Sequence, residues 1–234
     1  MTKIVAVDAG HGLNTPGKRT PDGEREWTFN NRVALALIKE LGKYDVKIVR
    51  LDDPTGRTDV SLSARTNKAN REKADLLISI HHNANTGTWG SWGGTETYHH
   101  PDDSKGMAIA QALHPILVRT MSLRDRGIKS ANFHMLRESN MPAILTEGGF
   151  MDSTTDIVRM RNNSVLDRTG RELANGIASY LNLKEVKDMP SPVHALAWKW
   201  LTDNGITNGT NPSGVMTRQQ FATMLYRYHQ KFGK

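Results

Sequence analysis

The chain has no cysteine among its 234 residues. Disulfides and thiolate ligands are thereby excluded, and any bound metal must be held by His, Asp or Glu. A long apolar run is missing as well: hydrophobic residues make up 37% of the chain, and no stretch approaches the ~20 apolar residues that a membrane-spanning helix requires. The first twelve residues, MTKIVAVDAGHG, offer one basic residue and a short apolar stretch before Asp8, less than the core of a secretory signal. Synthesis in the cytoplasm is the expectation. Dense basic blocks are absent too. The net charge of +7 favours an acidic polymer as partner, but the Lys and Arg residues are scattered and no nucleic-acid reading motif is present. An anionic cell-wall polymer therefore fits better than nucleic acid.

What the sequence does hold is an alternation of apolar strands and amphipathic helices. KIVAV (3–7), VKIVRL (46–51), ADLLISI (74–80), GGTETYHH (93–100) and AILTE (143–147) read as strands, with FHML (133–136) a further one. Helical patterns separate them over 26–41, 60–72, 104–121 and 164–182. In the first of these, Val33, Leu37 and Leu41 recur at four-residue spacing with Ile38 beside them. The expected fold class is α/β, a mainly parallel twisted sheet flanked by helices, with a small helical C-terminal module. In such sheets, sites form at the carboxyl ends of the strands.

The domain expected over 1–183 is followed by a Pro- and Ser-containing linker over 184–193 and a helical segment over 194–234. That segment holds ALAWKWLTDNGI and TRQQFATMLYRYHQ. Its Trp198, Trp200, Tyr226 and Tyr228 read as core, yet about forty residues make a marginal core alone. It is expected to pack on a partner, a repeat or the main domain.

Three runs bring candidate ligands to strand ends: His11 in IVAVDAGHG, His81 and His82 in LLISIHHNA, and Glu147 in AILTEGGF. The glycines around His11 predict a sharp turn that presents its imidazole to a cleft. Side chains alternate along a strand, so His81 and His82 face opposite ways and only one of them can join a given site. Glu24 and Glu26 open the first helix. Glu24 is the ordinary helix-start acid, complementing the dipole, and Glu26, four residues before Asn30, is assigned to metal. Glu147 ends an apolar strand, where a carboxylate is costly unless it is paired or set beside a metal. An ion pair with Arg126 or Arg137 is the structural alternative. Burial raises a carboxyl pKa, which suits a group that takes a proton from water and passes it to a leaving amine. Two imidazoles, one carboxylate and a further carboxylate are the inventory of an open zinc site with a general base. His134 could line the cleft, whereas His99, His100, His114, His194 and His229 read as surface.

DAGHG (8–12), Glu26 with Asn30, LSARTNKAN (62–70), SIHHNAN (79–85), GGTETY (93–98), RGIK (126–129) and PAILTEGGFMDS (142–153) together resemble the zinc-dependent N-acetylmuramoyl-L-alanine amidases of the Amidase_3 family, which serve as bacterial autolysins and phage endolysins. The resemblance spans about residues 3–183. It implies Zn2+ held by His11, Glu26 and His81, with His82 in a variable slot, and Glu147 as the catalytic carboxylate. It also implies peptidoglycan as substrate and cleavage of the amide between the N-acetylmuramic acid lactyl group and L-alanine, on the wall, after release from the cytoplasm. Ala9 stands where many relatives have proline. The short basic stretch with Lys18 and Arg19 leaves substrate preference open. The W…NGI..G pattern from Trp200 to Gly209, then TRQQFATML, resembles one S-layer homology-type repeat, which implies binding to anionic secondary wall polymers. A monomer is the simplest oligomeric state. A zinc peptidase or carboxypeptidase acting within the stem peptide would use the same groups, and a non-catalytic wall-binding protein is the reading from another class.

Overall fold

A computed structural model describes residues 2–186, 194–210 and 214–233. The elements run β1 (Lys3–Ala9), α1 (Glu26–Leu41), β2 (Val46–Arg50), α2 (Leu62–Arg71), β3 (Leu76–Asn83), β4 (Thr95–His99), α3 (Ser104–Met121), β5 (Asp125–Ser130), α4 (His134–Arg137), β6 (Ala143–Phe150), α5 (Asp156–Met160), α6 (Asn163–Tyr180), α7 (Ala195–Asp203) and α8 (Arg218–Phe232). The chain divides into two compact units, Met1–Glu185 and Val186–Lys234. Residues 187–193 of the expected linker lie outside the described residues. Among the described residues, no helix is long and apolar enough to cross a membrane.

The first unit is built on a six-stranded sheet of order β2-β1-β3-β6-β4-β5. β2, β1, β3 and β6 are mutually parallel; β4 is antiparallel to β6 and parallel to β5. The central strands read as continuous apolar runs because both faces are covered. Val7, Ile78 and Ile144 face the larger cluster, which holds Val33 and Leu37 of α1, Leu113 of α3 and Leu173 of α6. Ala6, Leu77 and Leu145 face a smaller cluster under α2 and α4, with Ala69, Met135 and Leu136. Close approach of α6 to α1 depends on Gly170, where a Cβ would lie 2.3 Å from the Val33 carbonyl oxygen. Ser61 starts α2 by accepting the Ala64 N–H, and Asp103 starts α3 by accepting that of Gly106.

Several expected elements are corrected. FHML is not a strand: His134–Arg137 form a helical turn in which the Arg137 and Glu138 N–H groups donate to the Phe133 and His134 carbonyls, so these groups are spent within the turn and not on a neighbouring strand. β5, DRGIKS, is an edge strand with half-exposed residues and no apolar alternation, and α5 is likewise absent from the periodicity. His99 and His114 are buried, not surface residues. Thr97 Oγ1 lies 3.0 Å from His114 Nδ1, and His114 Nε2 lies 2.8 Å from Asp125 Oδ1.

The second unit contains α7 and α8, the latter opened by a reciprocal Thr217–Gln220 capping box. Its aromatic residues do not form the expected core. Trp200 stacks on Phe232 with ring centroids 5.3 Å apart, yet Trp200, Tyr226, Tyr228 and Phe232 are all exposed. Among the described residues of this unit, the one fully buried apolar side chain is Ile206.

Asp52 ties β1, α1 and β2 together just below the carboxyl edge of the sheet. It accepts the Ala9 N–H at 3.2 Å, Trp27 Nε1 at 3.1 Å and Arg50 at 2.7 Å. Burial alone would raise its pKa, but Arg50, Trp27 and the Ala9 N–H together hold it below the usual carboxylate value. As pH falls, the unfolded chain takes up this proton first, so the contribution to stability is complete above about pH 5 and is lost progressively below it. Asp52→Asn is expected to cost about 2 kcal/mol or more at pH 7. Urea unfolding should show that gap narrowing between pH 5 and pH 2. A gap independent of pH would remove the ionised Asp52 from this account.

Candidate metal centre and proton-transfer site

The carboxyl edge of the sheet gathers the side chains singled out in the sequence. β1 ends at Ala9, and the backbone then turns at His11, whose φ of 66° is left-handed. The turn therefore falls on the histidine itself, not on its neighbouring glycines. Gly10 serves another purpose: a Cβ there would lie 2.1 Å from the His81 ring, so glycine lets that imidazole lie against the end of β1.

Arg65, which sequence reasoning gave no role, fixes this turn. It is 1% exposed and its guanidinium donates to Asp8 Oδ1 at 2.7 Å and to the carbonyls of Ala9 and His11 at 2.9 Å. Ser79 donates to the other Asp8 oxygen at 2.7 Å. A buried arginine at the centre of the LSARTNKAN motif is the signal that could have revealed it, since such a cation needs several acceptors.

Glu26 opens α1 and is 2% exposed. Its Oε2 lies 3.3 Å from His11 Nε2 and its Oε1 lies 3.0 Å from His81 Nδ1. The imidazoles of His11 and His81 meet edge to face, with centroids 4.9 Å apart. One ligand atom from each of His11, Glu26 and His81 falls within 4.8 Å of the other two, so this group could hold a metal ion. Glu24 does not join the helix; it precedes α1 and pairs with Arg161 at 2.6 Å.

His82 points elsewhere. It is 2% exposed, and its Nδ1 lies 2.8 Å from Asn30 Oδ1. Because that amide oxygen accepts, His82 Nδ1 carries the proton and, among the described residues, Nε2 is left without a partner. Asn30 Nδ2 in turn donates to Glu26 Oε1 at 3.3 Å and to the Gly10 carbonyl at 3.1 Å, and the backbone N–H of His82 donates to Glu26 Oε1 at 3.2 Å. The pair Asn30–His82 thus orients Glu26. His134 lies 3.4 Å from Thr66 Oγ1.

Glu147 stands on β6 directly opposite His81 of β3. Among the described residues, its buried Oε2 has no hydrogen-bond partner. Neither arginine considered as a partner is paired with it: Arg126 pairs with Glu96, and Arg137 with Glu138. Burial, with the charges of Glu26 and Glu96, raises the Glu147 pKa to about 8 against the opposing charge of His81.

The electrostatics suit a cation. Burial lowers the His11 pKa to about 4, so its imidazole is neutral and free to ligate near neutral pH. Glu26 resists its burial and stays well below the usual carboxylate value, through the hydrogen bond to His81 and the charges of His81 and His11. Burial would lower His81, but its bond to Glu26 and the Glu26 and Glu147 charges raise it overall. The donor set of two nitrogens and one carboxylate oxygen, with an orphaned carboxylate oxygen alongside, fits a divalent metal of the zinc type.

Residues 5–179 match the model of the Amidase_3 family, described as N-acetylmuramoyl-L-alanine amidase. The chain is 39% identical over 186 residues to the sporulation-specific N-acetylmuramoyl-L-alanine amidase of Bacillus subtilis, covering 79% of this chain and 70% of that protein. It is 32% identical over 205 residues to the endolysin of Bacillus phage SPP1, covering 82% and 71%. Among solved structures, the catalytic domain of CwlV, an N-acetylmuramoyl-L-alanine amidase from Bacillus (Paenibacillus) polymyxa var. colistinus, superposes with a TM-score of 0.71 at 32% identity. That match covers 78% of this chain and 99% of that one.

Proposed function

Because this chain belongs to the N-acetylmuramoyl-L-alanine amidase family, Amidase_3, we propose that it is a zinc-dependent peptidoglycan hydrolase. It cleaves the amide between the lactyl group of N-acetylmuramic acid and the L-alanine of the stem peptide. The observation that carries the zinc reading is the convergence of His11, Glu26 and His81 beside a buried, unpartnered Glu147 oxygen. Zinc bound there would supply Lewis-acid polarisation of the scissile carbonyl and a more acidic water. Glu147 accepts the proton given up by the attacking water and hands it to the L-alanine nitrogen as the C–N bond breaks. One water is consumed, and a carboxylate and an amine are released. His11 and His81 stay neutral as ligands, Glu26 supplies the negative charge, and Asn30 with His82 keeps its carboxylate aimed. A non-catalytic wall binder would gain nothing from the buried carboxylate at position 147.

Residues 1–183 are proposed to carry this chemistry, and residues 194–234 a small wall-binding module of the S-layer homology type joined through 184–193. In support, α7 and α8 frame a groove of about 740 Å³ lined by Trp198, Asn208, Gln220 and Arg227. Lys199, Arg218, Arg227 and Lys231 outnumber Asp203 across those two helices. A basic surface rich in aromatic and amide groups suits an anionic polysaccharide.

One experiment tests both parts. Purified sacculi and soluble muropeptides are digested with the whole chain and with a chain ending near Lys187, each with and without chelator, and the products are read by mass spectrometry. Intact stem peptides starting at L-alanine, and none after chelation, are expected from the whole chain. Peptides cut internally would indicate a peptidase instead. The truncated chain should keep its rate on soluble muropeptides and lose rate on sacculi, since tethering raises local substrate concentration. Equal losses on both substrates would rule out a purely targeting tail.

A further inference from the structure

Beside the proton-transfer site lies a charged cluster that the reaction as described does not use. Glu96 of β4 is the direct antiparallel partner of Glu147 of β6, as His81 of β3 is its parallel partner. Side chains at matched positions share a face. His81, Glu147 and Glu96 therefore form a row across three neighbouring strands at one edge of the sheet. β5 extends the row by one strand and brings Arg126 and Lys129.

Glu96 is 1% exposed. Its Oε1 accepts from Arg126 Nε and, at 2.8 Å, from Lys129 Nζ; its Oε2 accepts the Tyr98 hydroxyl. Two cations thus share one carboxylate, leaving an excess of one positive charge. The neighbouring Asp125 is occupied by His114 and the Gly127 N–H. Arg126 spends only Nε on Glu96. Among the described residues, its two terminal nitrogens have no acceptor, its side chain is 30% exposed, and its guanidinium lies 5.0 Å from the centroid of the buried Phe150 ring. A planar fork held by a buried anion on one side and an aromatic ring on another is arranged for bidentate capture of a second carboxylate. Charges that merely protect an edge strand need no buried counter-ion to hold them in place; these have one.

We propose that Arg126, braced with Lys129 on Glu96, binds a free carboxylate of the substrate on the peptide side of the scissile amide. The inference rests on the amidase reading, which places the leaving amine at Glu147. Strands lie about 4.8 Å apart, so β5 is about 10 Å from β6. An extended peptide covers roughly 3.5 Å per residue, and the reach of the arginine covers the remaining span. The carboxylate met there is that of the residue following L-alanine, an acidic residue whose carboxyl is either free or converted to a carboxamide. The cluster would make the enzyme favour walls in which it is free.

The test uses two synthetic muramyl peptides differing only in that group, carboxylate or carboxamide, with wild type, Arg126→Gln and Arg126→Lys. Wild type is expected to favour the carboxylate form by about tenfold or more in kcat/KM. Arg126→Gln should erase the preference by raising KM for the carboxylate form, with kcat little changed and the carboxamide form unaffected. Arg126→Lys, which keeps a cation over Glu96, should retain part of the preference. No discrimination by wild type would overturn the proposal, as would equal losses on both substrates in Arg126→Gln, which indicate a structural role alone. Calorimetric binding of the two peptides to Glu147→Gln separates this inference from the reading beneath it. If wild type cleaves neither peptide, yet the carboxylate form binds more tightly and the gain vanishes with Arg126→Gln, the amidase reading fails and the carboxylate site stands.

Discussion

Replacing Glu147 by glutamine is expected to lower turnover on muropeptides by ~10²-fold or more while zinc content stays at the wild-type level, since that is the scale general acid–base catalysis supplies. The carboxamide keeps the shape of the side chain but has no basic oxygen to take a proton. The carboxylate stands across β3–β6 from His81 and is not among the three groups that converge, so its loss removes no ligand. Stability should not fall either. Among the described residues the buried Oε2 has no partner to lose, and a carboxyl whose pKa burial has raised to about 8 is already largely neutral near pH 7, so the exchange changes little buried charge. Elemental analysis, a urea transition and a turnover assay on one preparation check the three statements together. An active, zinc-loaded Glu147→Gln enzyme would remove this carboxylate from proton transfer.

The sheet was legible in the sequence where burial is two-sided and illegible where it is not. KIVAV, LLISI and AILT are dominated by apolar residues because helices cover both faces of β1, β3 and β6. β5 carries Asp125, Arg126 and Lys129 on a sheet edge, and its strand character comes from pairing with β4, which leaves no apolar period to read. α4 is so short that its sequence suits a strand equally well; the hydrogen bonds from Arg137 to Phe133 and from Glu138 to His134, which no pattern of four residues encodes, separate the two. In the second unit, Trp200, Tyr226 and Tyr228 read as core because they are aromatic, but residue type does not tell what covers a side chain, and all three prove exposed.

At the site, the sequence located the candidate side chains but not what holds them. Glu26 precedes Asn30 by one helical turn, so their shared face was readable. The link from Asn30 to His82 spans 52 residues and depends on the register of α1 against β3, which no local pattern encodes. The same is true of Arg65, which besides the nearby Val60 carbonyl and Asp59 finds acceptors in Asp8, Ala9 and His11, 54 to 57 residues away on β1 and the turn after it. Nor was the left-handed backbone of His11 legible: glycines on both sides drew attention from a strain carried by the residue between them.

These supports decide what should happen when each of the adjacent histidines is removed. His81→Ala is expected to lose zinc and activity together, because one of the three converging groups disappears and two protein ligands hold the metal far more weakly than three. Added zinc should not restore turnover. His82→Ala keeps all three groups, yet it is not silent. It leaves the buried Asn30 oxygen without its donor, at about 1–3 kcal/mol for an unsatisfied buried group. It also frees the amide that orients Glu26, and losing such an orienting partner typically weakens metal binding about 10- to 100-fold. Stability and zinc affinity should therefore both fall in His82→Ala, with most activity returning at saturating zinc. The discriminating measurement is turnover across a zinc titration, alongside metal content after dialysis. Retention of one zinc per chain by His81→Ala would show that the ion is held elsewhere. Failure of zinc to rescue His82→Ala would mean that its imidazole touches the reacting groups directly, a role its bond to Asn30 argues against.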